Sequence, residues 1–228
     1  AAEANERRPR FIRQGFRADL THQLITQARL HETTVHGVLC AAQLLAQLSL
    51  QPDGQPAVFL LSCPVDLRQH LEPAQPTTPT GFFTSLISNT FRVDPQTDIW
   101  QLAAEVTRQT RLQVNRGEGH LLYHMFGLNG AAVLPDQMDT FRKKSLASLP
   151  NTMVSNIGVV HAVVEDPAVE SISFALCPMP YQTLFTAAST YQGRLILNVG
   201  FDAARLNEAN AALLVAGLVQ QLQQAALT

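Results

Sequence analysis

The apolar segment AVFLLSCPV at residues 57–65 narrows the choice of fold more than any other part of the sequence. Its apolar side chains occupy consecutive positions, which is typical of a central strand covered on both faces of a sheet. Pro64 cannot donate a backbone hydrogen bond, so we expect regular strand pairing to end there. The segment is followed by Asp66 and Arg68, two charged residues at the end of a core strand.

The rest of the sequence alternates between helical and strand patterns. We predict helices over residues 22–30, 35–50, 97–117, 120–128, 135–146 and 207–227, and strands over residues 57–65, 82–93, 152–160, 169–176, 182–190 and 193–201. The predicted N-caps are Thr21, Thr33 or Thr34, and Asn207, and Gly193 lies in the turn of a hairpin. This order predicts an α/β fold, a mixed sheet with helices packed on one or both faces.

The composition argues against a disordered chain, a nucleic-acid-binding protein and a membrane-spanning protein. Apolar residues make up 46% of the chain and charged residues 15%, which fits a packed protein rather than a disordered one. The 18 acidic and 16 basic residues give a net charge of −2, so no global positive field favours nucleic acid. No apolar run reaches the roughly 20 residues of a membrane span, and the first residues lack a signal-peptide pattern.

Three cysteines, Cys40, Cys63 and Cys177, are widely separated in the sequence. Their odd number and the absence of a CxxC pair argue against a disulfide framework and against a zinc knuckle. Each lies among apolar residues, so we expect three buried free thiols and no metal site. This use of cysteine fits a reducing compartment, and we predict a cytoplasmic location.

Two histidine patterns were candidates for chemistry, and we interpret both as structural. His120 and His124 have a spacing that places them on one helix face, but no glutamate follows His120 and no third ligand is close in the sequence. His161 precedes Glu165 and Asp166, although that spacing does not suit a paired histidine and carboxylate. The sequence contains no GxSxG, SxxK or Gly-rich phosphate loop.

A cluster of arginines lies near the beginning of the chain: Arg7, Arg8, Arg10, Arg13 and Arg17. It is either a solvated linker, which we prefer, or a docking site for a phosphate-bearing or acidic partner. We divide the chain into residues 1–18, a linker with a first extended segment, and residues 19–228, the main domain.

Four motifs in a fixed order connect the chain to a known superfamily. They are TTVHGVLCAAQLLA at 33–46, CPVDLRQHLEP with TGFFTSL within 63–86, TMVSNIGVV at 152–160, and QGRLILNVGFDAARLNEANAALL at 192–214. Together they resemble acyltransferases with the chloramphenicol-acetyltransferase fold. This superfamily includes nonribosomal-peptide condensation domains, plant BAHD transferases and polyketide-associated acyltransferases. The BAHD branch is the less similar one, because no DFGWG motif is present.

The resemblance implies a fold of two lobes, of which residues 19–228 are the C-terminal acyltransferase-type lobe. In the family, the catalytic HHxxxDG motif belongs to the N-terminal lobe. None of the seven histidines here is followed by an aspartate four residues later, so we assign no catalytic residue to this chain. We expect the chain alone to be incomplete and inactive, with an N-terminal lobe as its partner on the same gene product or on a nicked chain.

The resemblance also implies residues that line a substrate channel. Ser155, Asn156 and Gly158 match a Ser-Asn-x-Gly element of the family. A small polar pair beside a glycine allows a ligand to pass close to the backbone and to be hydrogen-bonded. Thr84 and Ser85, which follow Phe82 and Phe83, match a strand that lies near the channel. The alternative is that all of these are ordinary sheet residues.

Asp66 and Arg68 match the V-D-L-R stretch of the family, where they are mainly architectural. Arg68 offers five donors in a fixed geometry, and Asp66 is a natural partner for it. We therefore predict a structural ion pair or hydrogen-bonded corner at the junction of the lobes.

The predicted function is transfer of an acyl group to an alcohol or amine. The donor is a thioester of coenzyme A or of a carrier-protein phosphopantetheine, which is a substrate, and we expect no covalently bound cofactor. An acyl or peptidyl carrier protein is a second candidate partner. Two alternatives stay open: a non-catalytic module of the same fold that holds a carrier protein or a ligand, and an α/β domain with neither role.

Overall fold

A six-stranded mixed sheet organises the described part of the chain. A computed structural model describes residues 7–51, 55–74, 76, 81–125, 151–161, 167–179 and 182–228. The strands are β1 (Pro9–Gly15), β2 (Ala57–Asp66), β3 (Thr84–Val93), β4 (Asn151–Val159), β5 (Gln182–Tyr191) and β6 (Arg194–Asp202). The helices are α1 (Ala18–Leu30), α2 (Val35–Leu48), α3 (Ile99–Asn115), α4 (Leu121–Met125) and α5 (Glu208–Leu227), with short 3-10 helices at Arg68–His70 and Glu118–His120.

The strand order in the sheet is β1-β6-β5-β4-β2-β3. The central pairs β5–β4 and β4–β2 are parallel, whereas β1–β6, β6–β5 and β2–β3 are antiparallel. The predicted α/β class and mixed sheet are therefore confirmed. The predicted hairpin is confirmed as well, since β5 and β6 are joined by Gln192 and Gly193, both with positive φ.

The main core lies between one face of the sheet and helices α1, α2, α3 and α5. Alternate residues of each strand enter this core because side chains of a strand point to opposite faces in turn. In β2 these residues are Phe59, Leu61 and Cys63. A smaller apolar cluster on the opposite face contains Met153 and Phe185. The sheet is thus covered by helices on one face.

The strand predicted at 169–176 is absent, and this prediction is wrong. The segment instead crosses the face of the sheet opposite the helices, held by side chains of β5 and β6. The hydroxyl of Ser189 donates to the carbonyl of Ile172 at 3.0 Å, and Nδ2 of Asn198 donates to the carbonyl of Phe174 at 2.7 Å. The alternating pattern reflects partial burial of Ile172 and Phe174 against the sheet, without a backbone ladder.

The helix boundaries follow most of the capping predictions. Thr34 caps α2 by accepting from the N–H of Gly37, and Asn207 caps α5. Thr21 is not a cap, because α1 already begins at Ala18 and the Thr21 hydroxyl accepts from the N–H of Leu195 in β6. The helix predicted at 135–146 lies outside the described residues. No helix in the described part of the chain combines the length and the hydrophobicity of a transmembrane span.

Pro64 does not end strand pairing on both sides of β2. The antiparallel ladder with β3 continues through Pro64 to Asp66, so the prediction is wrong for this side. The parallel ladder with β4 ends earlier, at Ser62. A strand residue points its N–H toward only one neighbour, so a proline whose missing N–H faces the open side leaves the other ladder intact.

Two of the arginines near the beginning of the chain, Arg7 and Arg8, help to hold the first strand on the sheet. β1 pairs with β6 along its whole length, from Pro9 against Asp202 to Gly15 against Ile196. Burial disfavours the ionised form of the Asp202 carboxyl. Hydrogen bonds from the N–H groups of Arg8 and Ala204, together with the Arg7 guanidinium, outweigh this effect and lower its pKa. This part of the cluster therefore attaches the edge strand to the sheet.

Gly37 allows α2 to approach α3 closely, and replacing it with alanine is expected to destabilise the protein by about 1–3 kcal/mol. A Cβ there would lie 2.4 Å from the Thr107 hydroxyl and 2.7 Å from the backbone carbonyl oxygen of Ala103. Gly217→Ala in α5 is the matched control, because its Cβ would meet the nearest atom at an ordinary 3.6 Å. Chemical denaturation of both variants measures the difference, and equal stabilities would contradict the packing argument.

Candidate functional site

β2 and β4 part toward their carboxyl ends. Their parallel ladder joins only Leu60–Ser62 to Asn151–Met153. β2 then continues beside β3, and β4 continues beside β5, without pairing to each other. We call the gap between residues 63–66 and residues 154–159 the β2–β4 opening. The predicted residues Ser155, Asn156, Gly158 and Asp66 all lie on its two bordering strands.

A β-bulge shapes the β4 border of this opening. Asn156 pairs with Ala188 and Val159 with Thr190, so β4 has an extra residue over this stretch. Gly158 has a φ of 74°, and its N–H donates to Oδ1 of Asn156 at 2.9 Å. A Cβ at Gly158 would have no atom within 4 Å. The bulge therefore presents nearly bare backbone to open space.

Ser155 and Asn156 are half-buried in this border, whereas Ile157 and Val159 are 54% and 58% exposed. Oδ1 of Asn156 already accepts the Gly158 N–H, so the amide offers a ligand mainly its NH₂ donors. The Ser155 hydroxyl can both donate and accept. The border thus combines polar donors with apolar side chains that are left in solvent.

The β2 border ends in the predicted ion pair. Nη1 of Arg68 donates to Oδ2 of Asp66 at 2.7 Å, and the Arg68 N–H donates to Oδ1 at 2.9 Å. The guanidinium also lies over the ring of Phe83, 4.7 Å from its centroid. The prediction that Asp66 and Arg68 form a hydrogen-bonded corner is confirmed. Its position at a junction of lobes stays a prediction.

The two predicted residues of β3 lie on opposite faces of the sheet. Thr84 is exposed, and its carbonyl accepts the hydroxyl of Tyr123 at 3.0 Å. Ser85 is fully buried, and its hydroxyl donates to the carbonyl of Gly119. Thr84 is thus the residue of this pair that faces solvent. Ser85 attaches β3 to the 3-10 helix at Glu118–His120. The sequence offered no signal for Tyr123, which contacts the beginning of β3 from α4 through the carbonyls of Phe82 and Thr84.

Arg68→Gln is expected to lower the free energy of unfolding by about 1–2 kcal/mol. The substitution removes both the ion pair and the contact with Phe83, and the Arg68 side chain is only 22% exposed. Arg17→Gln is the matched control. Arg17 forms an ion pair with Asp19, which is also two residues away in the sequence, but the Arg17 side chain is 87% exposed. Loss of this pair should therefore change the free energy of unfolding little. Urea denaturation compares them, and an equal effect of both substitutions would refute the role of the corner.

The structure corrects the prediction for one cysteine and brings the other two together. Cys177 is exposed, not buried. Cys40 and Cys63 are buried as predicted, and their sulfurs lie 3.8 Å apart. Nε2 of His36 lies 3.6 Å from the sulfur of Cys40. Sequence spacing could not reveal this cluster, because α2 and β2 meet only after folding.

The other histidine patterns form no comparable group. His120 ends a 3-10 helix, His124 is exposed on α4, and His161 is exposed beyond β4. Glu165 and Asp166 lie outside the described residues. Across the described ranges, His36, Cys40 and Cys63 are the only three close residues of metal-binding type.

The sequence of the chain matches a protein family over most of its length. Residues 5–200 match the family described as phthiocerol/phthiodiolone dimycocerosyl transferase C-terminus. The chain belongs to this family. No curated protein matches it.

Solved structures share the fold of this family member. Polyketide synthase associated protein 5 from Mycobacterium tuberculosis has a TM-score of 0.69 at 17% identity, over 96% of this chain and 53% of that chain. The trichothecene 15-O-acetyltransferase from Fusarium sporotrichioides has a TM-score of 0.71 at 15% identity, over 95% and 47%. The epimerization domain of the third module of tyrocidine synthetase B has a TM-score of 0.69 at 16% identity, over 96% and 48%.

The chain spans about half the length of these three solved proteins. Together with the family match, the likeness confirms the predicted fold, a C-terminal lobe of the chloramphenicol-acetyltransferase type.

Proposed function

We propose that this chain is the C-terminal lobe of an acyltransferase. The observation that carries the proposal is the match of residues 5–200 to the C-terminal part of a transferase family. The enzyme moves an acyl group from a thioester of coenzyme A or of carrier-protein phosphopantetheine to an alcohol or amine. Its catalytic HHxxxDG motif lies on an N-terminal lobe.

The β2–β4 opening supports a channel beside this lobe. Parallel strands that part at their carboxyl ends leave a crevice, which is a common position for ligands in α/β sheets. Ser155 and the NH₂ of Asn156 supply hydrogen-bond donors there, and Gly158 allows a narrow pantetheine arm to approach the backbone. Ser155, Asn156, Gly158 and Thr84 line the channel in this proposal.

Exposed apolar side chains near the opening support docking of a second lobe. Ile157 and Val159 are more than half exposed on β4, and Phe82, just before β3, is 71% exposed. Large apolar side chains grouped on a surface are typical of a contact that is buried in the assembled protein. The corner of Asp66 and Arg68 would then lie at the junction of the lobes.

The chemistry divides between the two lobes. The oxygen or nitrogen of the acceptor attacks the thioester carbonyl carbon. At the same time the HHxxxDG histidine accepts the proton of the acceptor hydroxyl or amine. The tetrahedral intermediate carries its negative charge on the former carbonyl oxygen, and hydrogen-bond donors stabilise it. The C–S bond then breaks, and the histidine returns its proton to the leaving sulfur. The products are the ester or amide and a free thiol.

Intact-mass analysis of the natively purified protein, followed by a thiol-release assay, tests the proposal. The masses are expected to show a longer polypeptide or a copurifying one, and sequencing of its peptides is expected to find the HHxxxDG motif there. That protein should release free thiol from acyl thioesters when an acceptor is present. Alcohol acceptors come first, because the family description names a phthiocerol transferase. Replacement of the motif's base histidine with alanine should lower the rate about 100- to 10,000-fold.

A result without such a histidine would refute the acyltransferase proposal. Carrier-protein binding without thiol release would instead favour the non-catalytic module. We propose that the protein is located in the cytoplasm, where the exposed thiol of Cys177 would stay reduced.

A further inference from the structure

His36, Cys40 and Cys63 form a cluster on the helix-covered side of the sheet. His36 and Cys40 are four residues apart on α2, which places them on one helix face, and Cys63 lies opposite on β2. The two sulfurs are 3.8 Å apart, and Nε2 of His36 is 3.6 Å from Sγ of Cys40. The three potential ligand atoms all lie within 4.8 Å of one another.

These separations fit tetrahedral zinc coordination. Zinc binds thiolate sulfur at about 2.3 Å and imidazole nitrogen at about 2.0–2.1 Å. At tetrahedral angles, such bonds require about 3.8 Å between two sulfurs and about 3.6 Å between sulfur and nitrogen. The observed distances of 3.8 Å and 3.6 Å match both values. Two of the three pairs therefore already have the separations that zinc requires, and the third pair, the imidazole of His36 and Sγ of Cys63, lies within 4.8 Å.

Charge balance also favours a divalent cation here. Cys40 is 0% and Cys63 is 2% exposed, so both sulfurs can lose their protons at this depth only beside a positive partner, which a bound divalent cation would supply. Two thiolates neutralise the charge of a zinc ion, so the loaded site carries no net charge.

The surroundings offer a hydroxyl that can serve as an outer hydrogen-bond donor, and an access route. The Thr110 hydroxyl on α3 is buried without a regular hydrogen-bond partner among the described residues. This hydroxyl lies beside the sulfur of Cys63, to which it can donate. Metal ligands commonly have such an outer partner. His36 is only half-buried, so an ion can reach the cluster from its side.

We propose that His36, Cys40 and Cys63 bind one zinc ion that links α2 to β2, with a small exogenous ligand such as water in the fourth position. Two thiolates and an imidazole in tetrahedral arrangement are a ligand set suited to zinc. Binding displaces the remaining thiol protons, so zinc affinity falls as the pH falls. The proposal does not depend on the acyltransferase function.

Metal analysis of the full chain tests the site. The protein is purified under reducing conditions without chelator, and mass spectrometry of the metals is expected to find about one zinc per chain. Replacement of zinc by Co²⁺ should produce the near-ultraviolet absorption of thiolate–cobalt charge transfer. Removal of zinc with a chelator should lower the midpoint of thermal unfolding, because the ion stabilises only the folded state.

Variants separate the site from non-specific metal binding by thiols. Cys40→Ser, Cys63→Ser and His36→Gln should each lose zinc and the cobalt absorption. Cys177→Ser, which removes the exposed thiol, is the matched control and should retain both. Thr110→Val should keep the ion but weaken zinc affinity about 10- to 100-fold.

Several outcomes would overturn the proposal. These are wild-type protein that takes up no zinc even when zinc is added, retention of zinc by all three ligand variants, a different metal in the site, and a Cys40–Cys63 disulfide in its place. If a serine variant does not fold, the partly exposed His36→Gln variant and the wild-type cobalt spectrum decide the question.

Discussion

Replacing Gln43 with leucine is expected to lower the free energy of unfolding by about 2–4 kcal/mol. Gln43 is fully buried on α2, where Nε2 donates to Oγ1 of Thr152 and to the carbonyl of Met153. Its Oε1 accepts the hydroxyl of Thr186. Leucine would leave polar groups of β4 and β5 buried without partners. Urea denaturation followed by circular dichroism measures the change.

Gln47→Leu provides the control on the same helix. Gln47 is also buried, but its Oε1 has no hydrogen-bond partner within the described residues. Leucine at this position removes an unsatisfied group, so stability should stay equal or rise by about 1 kcal/mol. Adding Thr152→Val and Thr186→Val to Gln43→Leu should recover most of the loss, because polar partners are then removed together. Equal losses in the Gln43 and Gln47 variants would disprove the argument.

Gly158→Asn is expected to lower kcat/KM for acyl transfer about 100-fold in the assembled enzyme, if the proposed function holds. Asparagine tolerates positive φ, so the bulge should survive the substitution. The new side chain would project into space that is open in this lobe and that we assign to the substrate channel. Steady-state kinetics with a thioester donor measures the effect, and thermal unfolding shows whether the fold is retained.

Gly193→Asn tests whether the backbone conformation alone explains the loss. Gly193 has the same φ of 74° but lies in the turn between β5 and β6. Both substitutions introduce the same side chain at the same φ, so only the position differs. The Gly193 variant should keep wild-type kcat/KM. Unchanged kinetics in both variants would mean that the β2–β4 opening is not the channel, while acyl transfer itself would stand.

The local patterns of the sequence predicted most of the elements. The caps Thr34 and Asn207 and the hairpin at Gly193 were correct because each depends on residues within a few positions. The exceptions involve contacts with distant residues. Thr21 fits a capping pattern, yet its hydroxyl accepts from Leu195 of β6. The segment 169–176 alternates like a strand, yet side chains of β5 and β6 hold it across the sheet.

The candidate site was predicted in part. The order of motifs located Ser155, Asn156 and Gly158 on one strand, and the complementary chemistry of Asp66 and Arg68 predicted their ion pair. No pattern indicated that Ser85 turns away from Thr84 to contact Gly119. Tyr123 was missed because its role depends on the position of α4 beside β3.

The amino-acid sequence was sufficient to establish the fold class, the order of most helices and strands, and the resemblance to an acyltransferase lobe. These depend on apolar periodicity, on capping residues and on motif order, all of which are read along the chain. Folding was needed to bring His36 and Cys40 against Cys63, to enclose Gln43 between strands, and to part β2 from β4. The reason is physical: strand order and register bring together residues that are far apart along the chain, and local patterns carry no information about that pairing.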